Sequence, residues 1–245
     1  MAVNNSLSKS NTKDKSQQLV TFDVNGFQVQ LTPQIVRDYL VSGDKERVDM
    51  KEIVMFINLC KFSGLNPWLK EAYCIKYGNE PATMVVAKEA LQKRAEKNPA
   101  YDGHVSGIIV IDGNGEIQYR VGGFRLPDEE IVGGYAEVWR KDRNHSYRVE
   151  VSFDEYAGRK KDGTLNNQWA KKPATMIKKV ALAQALREAF PTDMNGLYSA
   201  EEQGLDETVL DVTPVEQPQV LDMPDVQEEK TEHSNNDVQA ALFGK

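Results

Sequence analysis

Cysteine is scarce in this sequence: Cys60 and Cys74 are the only two, and no CxxC pairing joins them to a partner. Neither a zinc cluster nor a disulfide framework follows from that spacing, and two buried free thiols are expected. Histidine is almost as rare. His104, His145 and His233 stand far apart with no HExxH or HxH pair, which removes the usual metal-hydrolase signatures and predicts surface or turn positions for all three. No GxxxxGK[ST] segment occurs, so the phosphate cradle of an ATP-driven motor is missing, and no GxSxG elbow marks a serine nucleophile. There is no run of about 18 apolar residues, and the opening MAVNNSLSKSNTKDKSQQ lacks the apolar centre of a secretory signal. A soluble intracellular protein with no membrane partner and no cofactor is expected.

What the sequence does contain is an uneven distribution of charge. The formal net charge is -7, yet residues 199–245 hold twelve acids against Lys230 and Lys245, a net of -10. The remaining chain is therefore basic by +3, and residues 136–190 alone carry +5. A basic body with an acidic tail fits either a polyanion binder whose tail competes for the groove or a body with a solubilising appendage.

Local patterning divides the chain into a disordered segment over residues 1–19, one ordered domain over 20–203 and an acidic flexible tail over 204–245. Asn25-Gly26 inside VTFDVNGFQVQL predicts a type I′ hairpin. Thr32 before Pro33 predicts a capped helix running to Gly43. Asp49 caps a second helix in which Ile53, Phe56, Ile57 and Cys60 share one face, and Gly64 ends it. EAYCIKYG and ATMVVA read as strands, KEALQKRAEK as a short helix, and HVSGIIVID, EIQYRV, IVGGYAEVWRK and SYRVEVSF as further strands joined by turns. A polar loop, 154–167, leads into WAKKPATMIKKVALAQALREAF, the last predicted helix. At the far end Val238, Leu242 and Phe243 have partly helical spacing, suited to a partner-docking anchor or a frayed tail. The fold class predicted is α+β, a bent and mostly antiparallel sheet packed with helices.

The last helix carries the functional signal. Counted as one helix with its entrance, Lys172 and Lys179 fall on one face, Arg187 lies about 80° further round, and Lys178 flanks them. Its remaining positions are Met, Ile, Val, Leu and Ala, so it reads as a buried helix with a basic stripe. Lys171 precedes it, Arg140, Lys141 and Arg143 close a strand, and Arg159, Lys160 and Lys161 occupy the polar loop. Trp139 and Trp169 supply aromatic faces for base stacking, while Trp68 is better suited to the core or a subunit contact. Cations interleaved with aromatics are what a single-strand groove requires. The rival reading places a metal on Asp128, Glu129 and Glu130 of a structure-specific nuclease or its accessory subunit; another is a coating protein that binds strands without annealing them.

GLNPWLKEAYCIKYG (64–78), the YDG at Tyr101 to Gly103, WRKDRNH at Trp139 to His145, and WAKKPATMIKKVALAQALREAF followed by GLYSAEE resemble the phage single-strand annealing proteins of the Bet (Redβ) and RecT group. The resemblance covers roughly Val20 to Glu202. It implies a Rad52-like annealing core and an ATP-independent recombinase that coats single-stranded DNA and anneals it. It also implies a homo-oligomeric ring or helical filament, and work beside a phage exonuclease and the host single-strand binding protein in the bacterial cytoplasm. Lys178 and Arg187 match basic positions of the family pattern and take a DNA-backbone role by resemblance. Two further basic positions of the lambda-type pattern are Ala174 and Val180 here, with Lys171, Lys172 and Lys179 as neighbouring substitutes.

Overall fold

Nine strands and six α-helical segments make up residues 18–205, the part of the chain described by the computed structural model. Residues 1–17 and 206–245 lie outside it, and with them the bulk of the two segments expected to be disordered, His233 and the Val238–Phe243 anchor.

The hairpin forms where the sequence places it. β1 (Val20–Val24) and β2 (Phe27–Leu31) pair antiparallel, and Asn25 and Gly26 take φ of 53° and 82°, the left-handed pair that a type I′ turn needs. The Thr32 side chain then accepts a hydrogen bond from the Ile35 N–H at 3.1 Å, and Pro33 opens α1 (Pro33–Ile35). Here the chain departs from expectation. Instead of running to Gly43, the helix loosens into a π turn (Val36–Leu40) and gives way to β3 (Val41–Gly43), which pairs parallel with β4 (Ala72–Lys76). Pairing buries Val41 and Ser42, and Gly43, at φ 83°, lies so close to the Lys76 carbonyl that a Cβ would come within 2.3 Å of its oxygen. β5 (Thr83–Val86) completes this three-stranded sheet.

α2 (Met50–Ser63) has a full capping box: the Asp49 carboxylate accepts from the Glu52 N–H, and Glu52 accepts from the Asp49 N–H. Ile53, Phe56, Ile57 and Cys60 are buried on its inner face, and Gly64 ends it at φ 58°. Cys60 and Cys74 are free and buried, as expected, and burial pushes both thiols up to about 12, which keeps them protonated.

After α3 (Lys88–Lys97), β6 (Tyr101–Ile111), β7 (Ile117–Val121), β8 (Glu130–Arg140) and β9 (Tyr147–Ser152) form an antiparallel sheet in the order β7-β6-β8-β9. The expected α+β class, mostly antiparallel strands packed with helices, is what the chain forms, with the strands of the described residues divided among sheets of two, three and four strands in place of one bent sheet. Ile108, Val110, Ala136, Val138, Val149 and Val151 turn one face of the largest sheet inward, and α6 (Pro173–Ala189) lies across it. Two features permit the close approach. Gly134 has no Cβ where one would lie 2.8 Å from the Ile177 carbonyl oxygen, and Ala181, Ala183, Ala185 and Ala189 of α6 are fully buried.

Between the sheet and α6 the chain makes α4 (Phe153–Tyr156), a turn over Arg159–Leu165 and α5 (Asn167–Lys171). Asn166 caps α5 through the Trp169 N–H. Trp169 corrects one expectation: it is 0% exposed, edge-on to Phe153 at 5.5 Å and packed against Gly158, where a Cβ would meet its ring at 3.0 Å. A base has no access to that ring. Trp169 instead fixes the lysine-bearing turn to the core. Replacing it with Ala is expected to cost about 3–5 kcal/mol of stability, the range for emptying a large aromatic site. Denaturant unfolding checks this, and a Trp169→Ala chain of unchanged stability that only lost DNA affinity would return the residue to the binding surface.

Candidate nucleic-acid interface

The predicted basic stripe divides once folded. Pro173 disfavours the helical region for the residue before it, and Lys172 sits at φ -134°, ψ 51° between α5 and α6. Lys172 is therefore the N-cap of α6 and not part of a continuous helix from Trp169: its carbonyl accepts the Met176 N–H at 3.1 Å, but its own backbone is not helical.

Further along α6, two of the cations meet acids of their own chain. Lys179 Nζ lies 2.8 Å from Glu201 Oε1. Arg187 grips both carboxylate oxygens of Glu202, donates to the Leu197 carbonyl at 3.2 Å and lies 4.6 Å over the Tyr198 ring. Both carboxylates are almost completely buried, at 5% and 4% side-chain exposure, so these cations hold the segment after α6 in place. Arg187 was expected to meet a phosphate; here its charge is met internally.

Lys171, Lys172 and Lys178 differ. Lys171 and Lys172 are exposed, Lys178 is half-buried, and none of the three makes an ion pair among the described residues. Lys160 and Lys161 project from the turn before α5, in which the Lys160 N–H donates to the Thr164 carbonyl and Gly163 takes φ 84°. They too are exposed and make no ion pair among the described residues. Trp169, buried beneath Gly158, joins this turn to the start of α6.

The strand-end cations stand apart from this group. Arg140 Nη1 donates to the Ala189 carbonyl at 2.5 Å and its guanidinium lies 4.8 Å over the Phe190 ring, at the opposite end of α6 from Lys172. A helix of 17 residues separates those ends by about 25 Å. Arg140 also binds Asp142 through two bonds of 2.8 Å and holds that carboxyl down to about 2. Arg143 shares Asp142 at 3.3 Å, while Lys141 is exposed. Trp139 is half-buried, and strand alternation from Val138 puts it on the face of the sheet away from α6. Trp68, expected in the core or at a subunit contact, is not a core residue: it is 43% exposed, with Tyr39 at 6.5 Å.

Two participants escaped sequence reading. His104, expected on the surface or in a turn, lies half-buried in β6, 2.6 Å from the Tyr101 hydroxyl and 3.3 Å from Gln92. Burial depresses its pKa, the charge of Lys88 depresses it further, Glu96 partly opposes the shift, and Lys178 adds a smaller depression. Lys88 opens α3, and only the tertiary fold brings it and Lys178 to the same imidazole. No spacing in the sequence signals this pair.

The acidic trio proposed as metal ligands is also reassigned. Glu129 is 2% exposed; its carboxylate takes both the Nε and Nη2 of Arg120 and the Leu126 N–H at 2.8 Å, interactions that hold it below the usual carboxylate range. Its acceptor capacity is used in fastening a loop. Asp128 and Glu130 are exposed beside it.

Comparison with known proteins agrees with the patterns above. The chain is similar to the uncharacterized protein UU154 of Ureaplasma parvum serovar 3, at 29% identity over 177 residues, covering 70% of this chain and 71% of that protein. A family model, the RecT family, matches residues 29–216, from β2 through the whole four-stranded sheet and α6 and on past Glu202. With most of the chain inside that match, the protein belongs to the RecT family, whose members anneal single strands in phage-type recombination.

Proposed function

We propose that this chain binds single-stranded DNA along the cations gathered at the start of α6 and anneals complementary strands without ATP. The observation that carries the reading is the asymmetry along α6 itself: Lys179 and Arg187 are neutralised by Glu201 and Glu202, whereas Lys171, Lys172 and Lys178 make no ion pair among the described residues. Lys160 and Lys161, exposed on the turn that follows Gly158, which packs on Trp169 of α5, are assigned to the same surface in this reading. Neutralising the phosphates of two strands lowers their repulsion and raises the rate at which they meet, while base pairing supplies the free energy. No nucleotide cofactor enters that scheme. Homo-oligomerisation into a ring or filament, with half-exposed Trp68 at a subunit contact, and cooperation with a phage exonuclease and a host single-strand binding protein in the bacterial cytoplasm belong to the same reading, supported by RecT family membership.

Mixing labelled complementary oligonucleotides with the protein, with and without ATP and magnesium, is the direct test. Duplex formation without ATP is the expected outcome; binding without duplex indicates a coating protein, and strand loss a nuclease.

If Lys160, Lys161, Lys171, Lys172 and Lys178 each neutralise one phosphate, log affinity falls against log salt with a slope of roughly -3.5. Replacing Lys171, Lys172 and Lys178 together by Ala is expected to weaken binding to all sequences and flatten that slope by about 2, with unfolding unchanged. Arg187→Ala should behave differently and cost about 3–5 kcal/mol of stability, because the buried Glu202 carboxylate loses its counter-ion. An unaltered salt slope in the triple variant would remove these lysines from the interface.

His104 provides an independent readout. Its folded pKa is depressed below the ordinary value of 6.5, so its contribution to stability is complete above that value and is lost as pH falls towards the folded one. A phosphate at Lys178 offsets the positive charge that contributes to this depression. Saturating DNA is therefore expected to raise the His104 pKa in an NMR titration of the imidazole; no change would place the phosphates elsewhere.

A further inference from the structure

With Trp169 buried and Trp139 on the opposite face of the sheet, the cations at the start of α6 are left without the aromatic partner that single-strand grooves use. The loop between β7 and β8 brings one there. Gly123 abuts the first turn of α6, where a Cβ on it would lie 3.6 Å from Ala174 Cβ, and Ala174 follows Lys171, Lys172 and Pro173 in the chain. The next residue of the loop, Phe124, is 74% exposed.

The loop is fastened on both sides of that ring. At its start the Gly122 N–H donates to the Ser106 carbonyl at 2.9 Å, and Gly122 takes φ 79°. At its end the buried Glu129 carboxylate holds Arg120 and the Leu126 N–H, the Arg125 guanidinium donates to the Glu129 carbonyl, and the Glu129 N–H donates to the Leu126 carbonyl at 3.2 Å. A carboxylate taken out of water loses solvation, so its use here to immobilise a loop whose tip is an exposed phenyl ring contributes order at a point where the hydrophobic effect supplies none. The chain just before Ala174 favours a polyanion: Lys171 and Lys172 are exposed, and no acid pairs with either among the described residues, while the exposed acids of the loop, Asp128 and Glu130, lie four and six positions beyond Phe124.

We propose that Phe124 is a stacking platform for one base of the bound single strand, held in place by Glu129 and flanked by Lys171 and Lys172, which take the adjacent phosphates. Stacking engages the flat face of a base and leaves its pairing edge open to a complementary strand. The inference rests on the single-strand binding proposed above and adds to it the group that touches the bases.

The test compares full-length wild type with Phe124→Ala, Phe124→Leu and Phe124→Trp on a mixed-sequence single strand and on an abasic strand of the same length. Base-aromatic stacking of the usual strength predicts roughly 5- to 150-fold weaker binding of the normal strand by Phe124→Ala. Phe124→Leu should be equally weak, Phe124→Trp should restore affinity, and the abasic strand should be bound equally by all four. Melting temperature should be unchanged, because the ring is outside the core. Glu129→Gln, which loosens the loop while keeping its shape, should give an intermediate loss on the normal strand alone. Wild-type affinity in both Phe124→Ala and Phe124→Leu overturns the proposal, as does a Leu variant that binds like wild type, since an apolar contact would then suffice. Lost self-association with unchanged DNA affinity per subunit overturns it in favour of a subunit contact. If the Lys171, Lys172 and Lys178 variant loses binding while Phe124→Ala does not, only the stacking role falls; if neither loses binding, the single-strand reading falls with it.

Discussion

The seating of α6 on the four-stranded sheet is the contact from which the other features of this molecule follow. It depends on the absence of side-chain volume: Gly134 on the sheet opposite the Ile177 backbone, and buried alanines along the helix. A backbone approach this close leaves α6 little freedom to shift or rotate, because protein interiors transmit even one added methyl as strain. The rotation of α6 is thereby set, and with it the direction each cation faces. Lys179 and Arg187 turn to the chain that follows the helix, Lys178 is half-buried, and Lys171 and Lys172 are exposed just before its first turn.

Charge is then handled in two ways. At Lys179 and Arg187, opposite charges are paired with little water around the acids, a geometry that fixes structure and leaves little attraction for an outside ligand. Lys171, Lys172 and Lys178 have no such partners among the described residues, which is the property that the proposed phosphate contacts draw on. The family match spans both halves, since it runs from residue 29 to 216.

Carboxylates of low exposure, Glu71 and Glu129 buried and Glu52 half-buried, recur as fasteners elsewhere. Glu52 joins the Asp49 and Ala82 N–H groups to Lys76, Glu71 joins the Asn66 N–H to Lys93, and Glu129 joins the Leu126 N–H to Arg120. Each pins a backbone segment to a cation on another strand or helix, or on the strand before its loop. Backbone N–H groups and a cation together satisfy the oxygens that burial strips of water. Acidic residues that suggest metal chemistry when read in a row are therefore better understood one at a time, by what each accepts.

Local rules were enough to place most elements. The Asn25-Gly26 turn, the Thr32 and Asp49 caps, the buried face of α2 and the four strands of the largest sheet are encoded by residues within a turn or two of one another, and so were legible in the sequence. The basic segment and its resemblance to annealing proteins were legible for the same reason, being contiguous in the chain. What local patterning missed depends on distant partners. β3 exists because β4 is there to pair with it, Trp169 is buried because Gly158 and Phe153 close over it, and Arg187 and Lys179 are neutralised because Glu201 and Glu202 fold back onto them. The sequence by itself determined which segments are helix and strand and which carry positive charge, since those depend on backbone preference and composition. Only the tertiary structure decided which of those charges stay open to a ligand, because burial and pairing depend on what lies across the core.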